Sequence, residues 1–176
     1  MQTTILTVAE IDPLLERVRA AAGRTTQAIG RLISSEPDGV EVLRQMKFTE
    51  MAWHPIDDRP LNLIEQLNQT WTYLVTLKAL VFLFERHPAA GGFRLNLGTA
   101  RGTDIESVAP RVVAAEVFAA VHPSNNQKLA KDLKRLALEW PDAKARYVFF
   151  GAPGFRHERQ HKLETVDGIE VWGIDV

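Results

Sequence analysis

The chain has 176 residues, of which 45% are hydrophobic and 24% charged, with a formal net charge of −1 and no cysteine. That length and composition predict one domain with a packed core and exclude wholesale disorder. The missing cysteines exclude disulfides and thiolate metal sites, and they suit a reducing cytoplasm.

The N-terminus has no basic start leading into an apolar run, so no signal peptide is expected. Residues 1–58 read as a helical N-terminal extension. Leu14, Leu15, Val18 and Ala21 mark one amphipathic stripe, which Gly23 is expected to end, and Ile29, Leu32 and Ile33 mark a second. Pro37, Asp38 and Gly39 form a turn before a short helix carrying Val40, Leu43 and Met46. HPIDDRP, 54–60, reads as a loop. The next segment, 61–87, contains neither Gly nor Pro and is long enough for about seven helical turns. Apolar residues cover most of its circumference, which predicts burial. One polar stripe survives at Glu65, Gln69, Thr72 and Thr76. Its most apolar part, LVTLKALVFLF at 74–84, is too short to span a bilayer and carries Lys78, so no membrane association is expected.

Residues 59–176 read as an α/β core. FRLNLG, 93–98, alternates with period two and predicts a strand, and TDIESV, 103–108, predicts another after a turn. Beyond Pro110, RVVAAEVFAAV, 111–121, is a nearly continuous apolar run that suits a central strand. Ser124 or Asn125 is expected to cap a helix over NQKLAKDLKRLALEW, whose buried stripe is Leu129, Leu133, Leu136 and Trp140. ARYVFFGAP, 145–153, reads as a fourth strand, and ETVDGIEVWGIDV as a terminal strand or hairpin. The order is a long helix, three strands, a helix, then one or two strands.

Charge is polarised along the C-terminal third. Residues 123–162 hold nine Lys/Arg and four Asp/Glu, a net of +5, whereas 163–176 hold four acids and no Lys or Arg. A basic stretch over 128–162 can approach phosphate; a solvated helix face is the plainer reading. Within that stretch HERQH, 157–161, satisfies H-E-x-x-H. On a helix this spacing would aim His157 and His161 at one zinc ion, with Glu158 polarising water. The context argues against a zinc hydrolase. Gly151, Pro153 and Gly154 favour a turn, Arg159 stands where apolar packing is needed, and no third ligand follows. A polar loop between strands is expected instead.

Glu116 is the more informative oddity. It stands in VVAAEVFAA, where an isolated carboxylate is costly unless it is paired, protonated or bound to a cation. If SVAPR links a hairpin, Asp104 on the preceding strand can converge with Glu116 at one sheet edge. Two carboxylates with room for water suit Mg²⁺ or Mn²⁺, and such an ion can activate water at a phosphoryl group.

With Asp104 in GTDIES, Glu116 in VVAAEVF and this element order, residues 60–151 resemble the core of the PD-(D/E)XK nuclease superfamily. The resemblance implies a restriction-endonuclease-like fold, an αβββαβ core with a mixed sheet. It implies that Asp104 and Glu116 bind Mg²⁺, that a lysine two residues after the glutamate helps activate water, and that Glu65 adds an acidic group from the first core helix. It makes nucleic acid the expected partner. Phe118 occupies the lysine's place. Either Lys128, with Lys131 next, supplies the migrated lysine and completes a Mg²⁺-dependent nuclease, or the fold persists as a non-catalytic binding or assembly module with Glu116 compensated by Lys128 or a backbone donor. Trp53, Trp71, Trp140 and Trp172 read as core or interface residues, and a homo-oligomer stays open.

Overall fold

The computed structural model describes residues 2–96 and 102–175. These described residues form an α/β protein with four α-helices, a mixed seven-stranded sheet and a two-stranded hairpin. The chain divides into two compact units, one formed by 12–74 and the other by 1–11 with 75–176. The division falls within the long helix at 63–86.

The first strand, β1 (Gln2–Ile5), lies in the segment expected to be helical and pairs antiparallel with a strand of the core. Thr3, Thr4 and Ile5 are β-branched residues that fit a pleated ladder, but four residues carry no readable period. Helix α1 (Ile11–Ser35) runs straight through Gly23, joining the two expected stripes into one helix of 25 residues. Mid-helix glycine costs about 1 kcal/mol relative to alanine. The continuous burial of Val18, Ala21 and Thr25 outweighs it. Helix α2 (Gly39–Phe48) starts where Asp38 accepts a hydrogen bond from the Val40 N–H at 2.9 Å.

Strands β2 (Ala52–Trp53) and β3 (Pro60–Leu61) form the hairpin around the expected 54–60 loop. His54 organises that loop. Its Nδ1 accepts from the Ile56 N–H at 3.2 Å and the Asp57 N–H at 2.9 Å. The ring proton is thereby left on Nε2, 3.3 Å from the Tyr73 hydroxyl. Burial holds the His54 pKa below its ordinary value, so the ring stays neutral as this geometry requires. Helix α3 (Leu63–Arg86) opens with Asn62 accepting from the Glu65 N–H at 2.9 Å and stops before Pro88.

The large sheet joins β1 to β4 (Phe93–Asn96), β5 (Ile105–Ser107), β6 (Val113–Ala119), β7 (Ala145–Gly151), β8 (Glu158–Arg159) and β9 (Glu170–Ile174), with helix α4 (Lys128–Glu139) between β6 and β7 in the chain. Its order is β1-β4-β5-β6-β7-β9-β8. Pairs β4–β5 and β5–β6 are antiparallel, whereas β6–β7 and β7–β9 are parallel. The end of the 93–98 strand and the turn after it lie outside the described residues.

Alternation along the central strands sorts side chains onto two faces. Tyr147 and Phe149 meet Phe82 of α3, at centroid distances of 5.9 and 5.7 Å. Ala114, Phe118, Val148 and Phe150 point the other way and pack with Leu129, Leu133 and Leu136 of α4. β6 is buried from Val113 through Phe118, as its nearly continuous apolar run predicts. Among the described residues no helix is long and apolar enough to cross a membrane.

Candidate functional site

Glu116 occupies the α4 face of β6 between Ala114 and Phe118, and none of its surface reaches solvent. The register pairs Ile105 with Ala115 and Glu106 with Ala114. One step further along, Asp104 falls opposite Glu116. Asp104 is fixed there because its Oδ2 accepts from the Val117 N–H at 2.8 Å. Next to it, the Thr103 hydroxyl donates to the Ala115 carbonyl at 2.8 Å and ties the same two chain segments together. The two carboxyls meet in the middle of the sheet, under α4, and not at a sheet edge.

Helix α4 brings three charged groups over this pair. Arg135 Nη2 donates to Glu116 Oε2 and lies 3.5 Å from Asp132 Oδ1. Lys128 Nζ donates to the same Asp132 oxygen at 2.7 Å. The cation that compensates Glu116 is therefore Arg135, whereas Lys128 sits one helical turn from Asp132 and holds that residue. Asp104, Asp132 and Arg135 lie around Glu116, and Lys128 holds Asp132 from a partly exposed position. Among the described residues, Glu116 Oε1, Asp132 Oδ2 and Arg135 Nε are buried with no hydrogen-bond partner. Each would cost roughly 1–3 kcal/mol if it stayed so.

The proton balance follows from this crowding. Burial, then the charge of Asp104 and a hydrogen bond to it, raise the Glu116 pKa to about 8, against the opposing pull of Arg135. As an acid Glu116 donates to Asp104; as a carboxylate it leaves Oε1 without a donor. Asp132 is also pushed upward by burial, with Lys128 opposing.

Asp104 and Glu116 are the residues that could hold a hard divalent cation: the two carboxyls meet, and Glu116 Oε1 is buried without a partner, while Arg135 occupies Oε2. Mg²⁺ commonly takes one or two carboxylates and keeps several waters. Among the described residues no group of three or more His, Asp or Glu side chains is arranged to hold a metal, so water or substrate oxygens would complete the shell.

Glu65 is exposed in the first turn of α3 and belongs to the 12–74 unit. Glu106 pairs with Arg94 at 3.0 Å across β4–β5. Lys131 is exposed and donates to the Asn126 carbonyl at 3.1 Å. The helix cap expected at Ser124 or Asn125 is not formed: Gln127 is the N-cap, and Asn126 and Gln127 both take left-handed backbone angles, at φ 54° and 55°. Residues of this type adopt that region at a cost of roughly 1–3 kcal/mol.

The HERQH segment is not helical. Glu158 and Arg159 form β8 against β9, and His161 begins a short 3-10 turn. His157 packs edge-on against Phe82 and Trp172, while His161 faces Glu164 at 3.4 Å. Arg159 bridges Glu164 at 2.7 Å and Glu170 at 3.0 Å. Much of the basic stretch thus serves internal pairs.

Two cavities elsewhere leave the carboxylates outside. One of about 260 Å³ is bounded by Arg146, Arg159 and Glu170, the other of about 350 Å³ by Glu106, Trp140 and Asp142. The chemistry argues for the buried charges over either hollow, because only they combine orphaned polar atoms with converging oxygens.

Asp132 has no place in the reading of the sequence, and the signal for it was present. It lies three residues after Leu129 and four before Leu136, on the apolar stripe of α4, which makes it the same kind of misplaced acid as Glu116. No family model, curated protein or solved structure matches the chain.

Proposed function

We propose that the chain is a metal-dependent nuclease of restriction-endonuclease-like build, hydrolysing phosphodiester bonds of DNA or RNA with Mg²⁺ or Mn²⁺. The observation that carries this reading is the meeting of buried Glu116 on β6 with Asp104, the residue just before β5. The order α3, β4, β5, β6, α4, β7 with a mixed sheet supports it. Asp104 and Glu116 would hold the ion, which when bound polarises a phosphoryl oxygen and acidifies water. Lys128 and Arg135 stand on α4 above the pair and would face the phosphate's negative charge. Lys131 and Lys134, exposed on the same helix, would meet the flanking backbone of a nucleic acid. The absence of cysteine accords with work in a reducing cytoplasm.

A second reading is a non-catalytic module built on the same frame. It is favoured by Phe118, which is packed among apolar side chains where the resemblance places a lysine, and by Arg135, which already neutralises Glu116. Calorimetric titration with Mg²⁺ and Mn²⁺, followed by plasmid and single-strand cleavage assays, separates the two. For the nuclease, metal binds, cutting requires it, and Glu116→Gln loses both, while Lys128→Ala cuts at least tenfold more slowly. Wild-type protein without metal binding would establish the second reading, and undiminished cutting by Lys128→Ala would remove that lysine from the mechanism.

A further inference from the structure

Resting on the metal-site reading above, we propose that Asp132 is a positioning residue: it is the seat to which Arg135 transfers when a divalent ion takes Glu116. The geometry of α4 motivates this. Arg135 Nη2 is on Glu116 Oε2, so an ion arriving between Asp104 and Glu116 must displace a guanidinium. The side chain is 35% exposed, but its Nε is buried without a partner, so the displaced guanidinium gains by moving to a nearby anion. Asp132 is three residues earlier on the same helix, and its Oδ1 is already 3.5 Å from Arg135 Nη2.

Two atoms without partners complete the picture. Among the described residues, Arg135 Nε and Asp132 Oδ2 are both buried and unpaired. A small rotation of the Arg135 side chain would set its planar fork on the Asp132 carboxylate and satisfy both at once. The i,i+3 relation along α4 places the two side chains on neighbouring rungs, and a bidentate guanidinium–carboxylate pair is the strongest form such a contact takes. Lys128 supports the exchange by anchoring Asp132 Oδ1 at 2.7 Å, which fixes the carboxylate before Arg135 arrives. The same cation therefore rests on Glu116 in the free protein and moves to Asp132 for the ion.

The consequence is a competition between an internal cation and an external one. Arg135 weakens ion binding, and Asp132 relieves that competition by offering Arg135 another anion. Isothermal titration with Mn²⁺ measures it on the full chain, with thermal unfolding of each variant recorded to confirm folding. Arg135→Gln is expected to bind Mn²⁺ at least tenfold more tightly than wild type. Asp132→Asn is expected to bind at least tenfold more weakly, and that loss is expected to disappear in Asp132→Asn/Arg135→Gln, because no guanidinium then needs a seat.

Wild-type binding with unchanged affinity in Arg135→Gln, or an Asp132→Asn loss that persists in the double variant, overturns the exchange while leaving the metal site standing. No Mn²⁺ binding by wild type or any variant overturns both. If Asp132→Asn fails to fold, the tightening in Arg135→Gln decides alone.

Discussion

Glu116 sets the chemistry because its position makes ionisation expensive. Its pKa is about 8 in the folded protein against an ordinary 4.5. Between those values the folded state keeps a proton that the unfolded chain has released. Stability from this group is therefore complete below the unfolded value, declines as pH rises, and is gone above about pH 8. Glu116→Gln keeps the shape and removes the titration. In urea unfolding followed from about pH 5 to pH 9, the wild-type midpoint is expected to fall by several tenths molar or more relative to the variant's, a loss of a few kcal/mol. Parallel curves for the two proteins would show that Glu116 is charged throughout, held by Arg135 alone. The anomaly at Glu116 was legible in its sequence because eight neighbours are apolar. Its partner was harder to read: Lys128, Lys131 and Arg135 share one helix face, and only the packing of α4 on β6 and β7 decides which of them reaches the carboxylate.

The elements that carry the site are β5, β6 and α4, and their apolar residues hold it as firmly as the charges do. Phe118 stacks with Phe150 at a centroid distance of 5.9 Å and is enclosed by Leu129, Leu133 and Val148. Restoring the lysine that the resemblance lacks would place a charge in that cluster. Phe118→Lys is expected to destabilise the protein by roughly 3 kcal/mol or more, through lost packing and a buried cation, and to gain no cleavage activity. Unchanged thermal stability would mean that the α4 face opens readily beside Glu116. Long or strongly patterned elements such as α3, β6, α4 and β7 were readable because their periodicity or nearly continuous apolar run extends over several residues. β1 was not, since its four residues belong to a sheet whose other members begin some ninety residues later, and pairing of that range leaves no local trace. Gly23 misled for the opposite reason, because a local breaker yields when burial on both sides of it is continuous. HERQH is non-helical, as Gly151, Pro153 and Gly154 before it predict, and the part expected as loop that differs is Glu158–Arg159, which the β8–β9 ladder claims.

For the whole molecule, the two compact units divide the labour. Residues 12–74 form a mainly helical unit that contains the His54 loop, while 1–11 and 75–176 build the sheet and helix α4, which together hold the charged cluster. The cluster sits in the middle of that sheet, where β6 turns from antiparallel to parallel pairing. A rigid central strand pair is a good mount for oxygen ligands, because neither strand can retreat without breaking its ladder. The central claim is that Asp104 and Glu116 grip one divalent ion there. Diffraction from Mn²⁺-soaked crystals tests it most directly. The expected result is an anomalous peak between the two carboxyls, about 2.2 Å from an oxygen of each, with Arg135 moved onto Asp132. A map without that peak, with Arg135 still seated on Glu116 at saturating Mn²⁺, would contradict it.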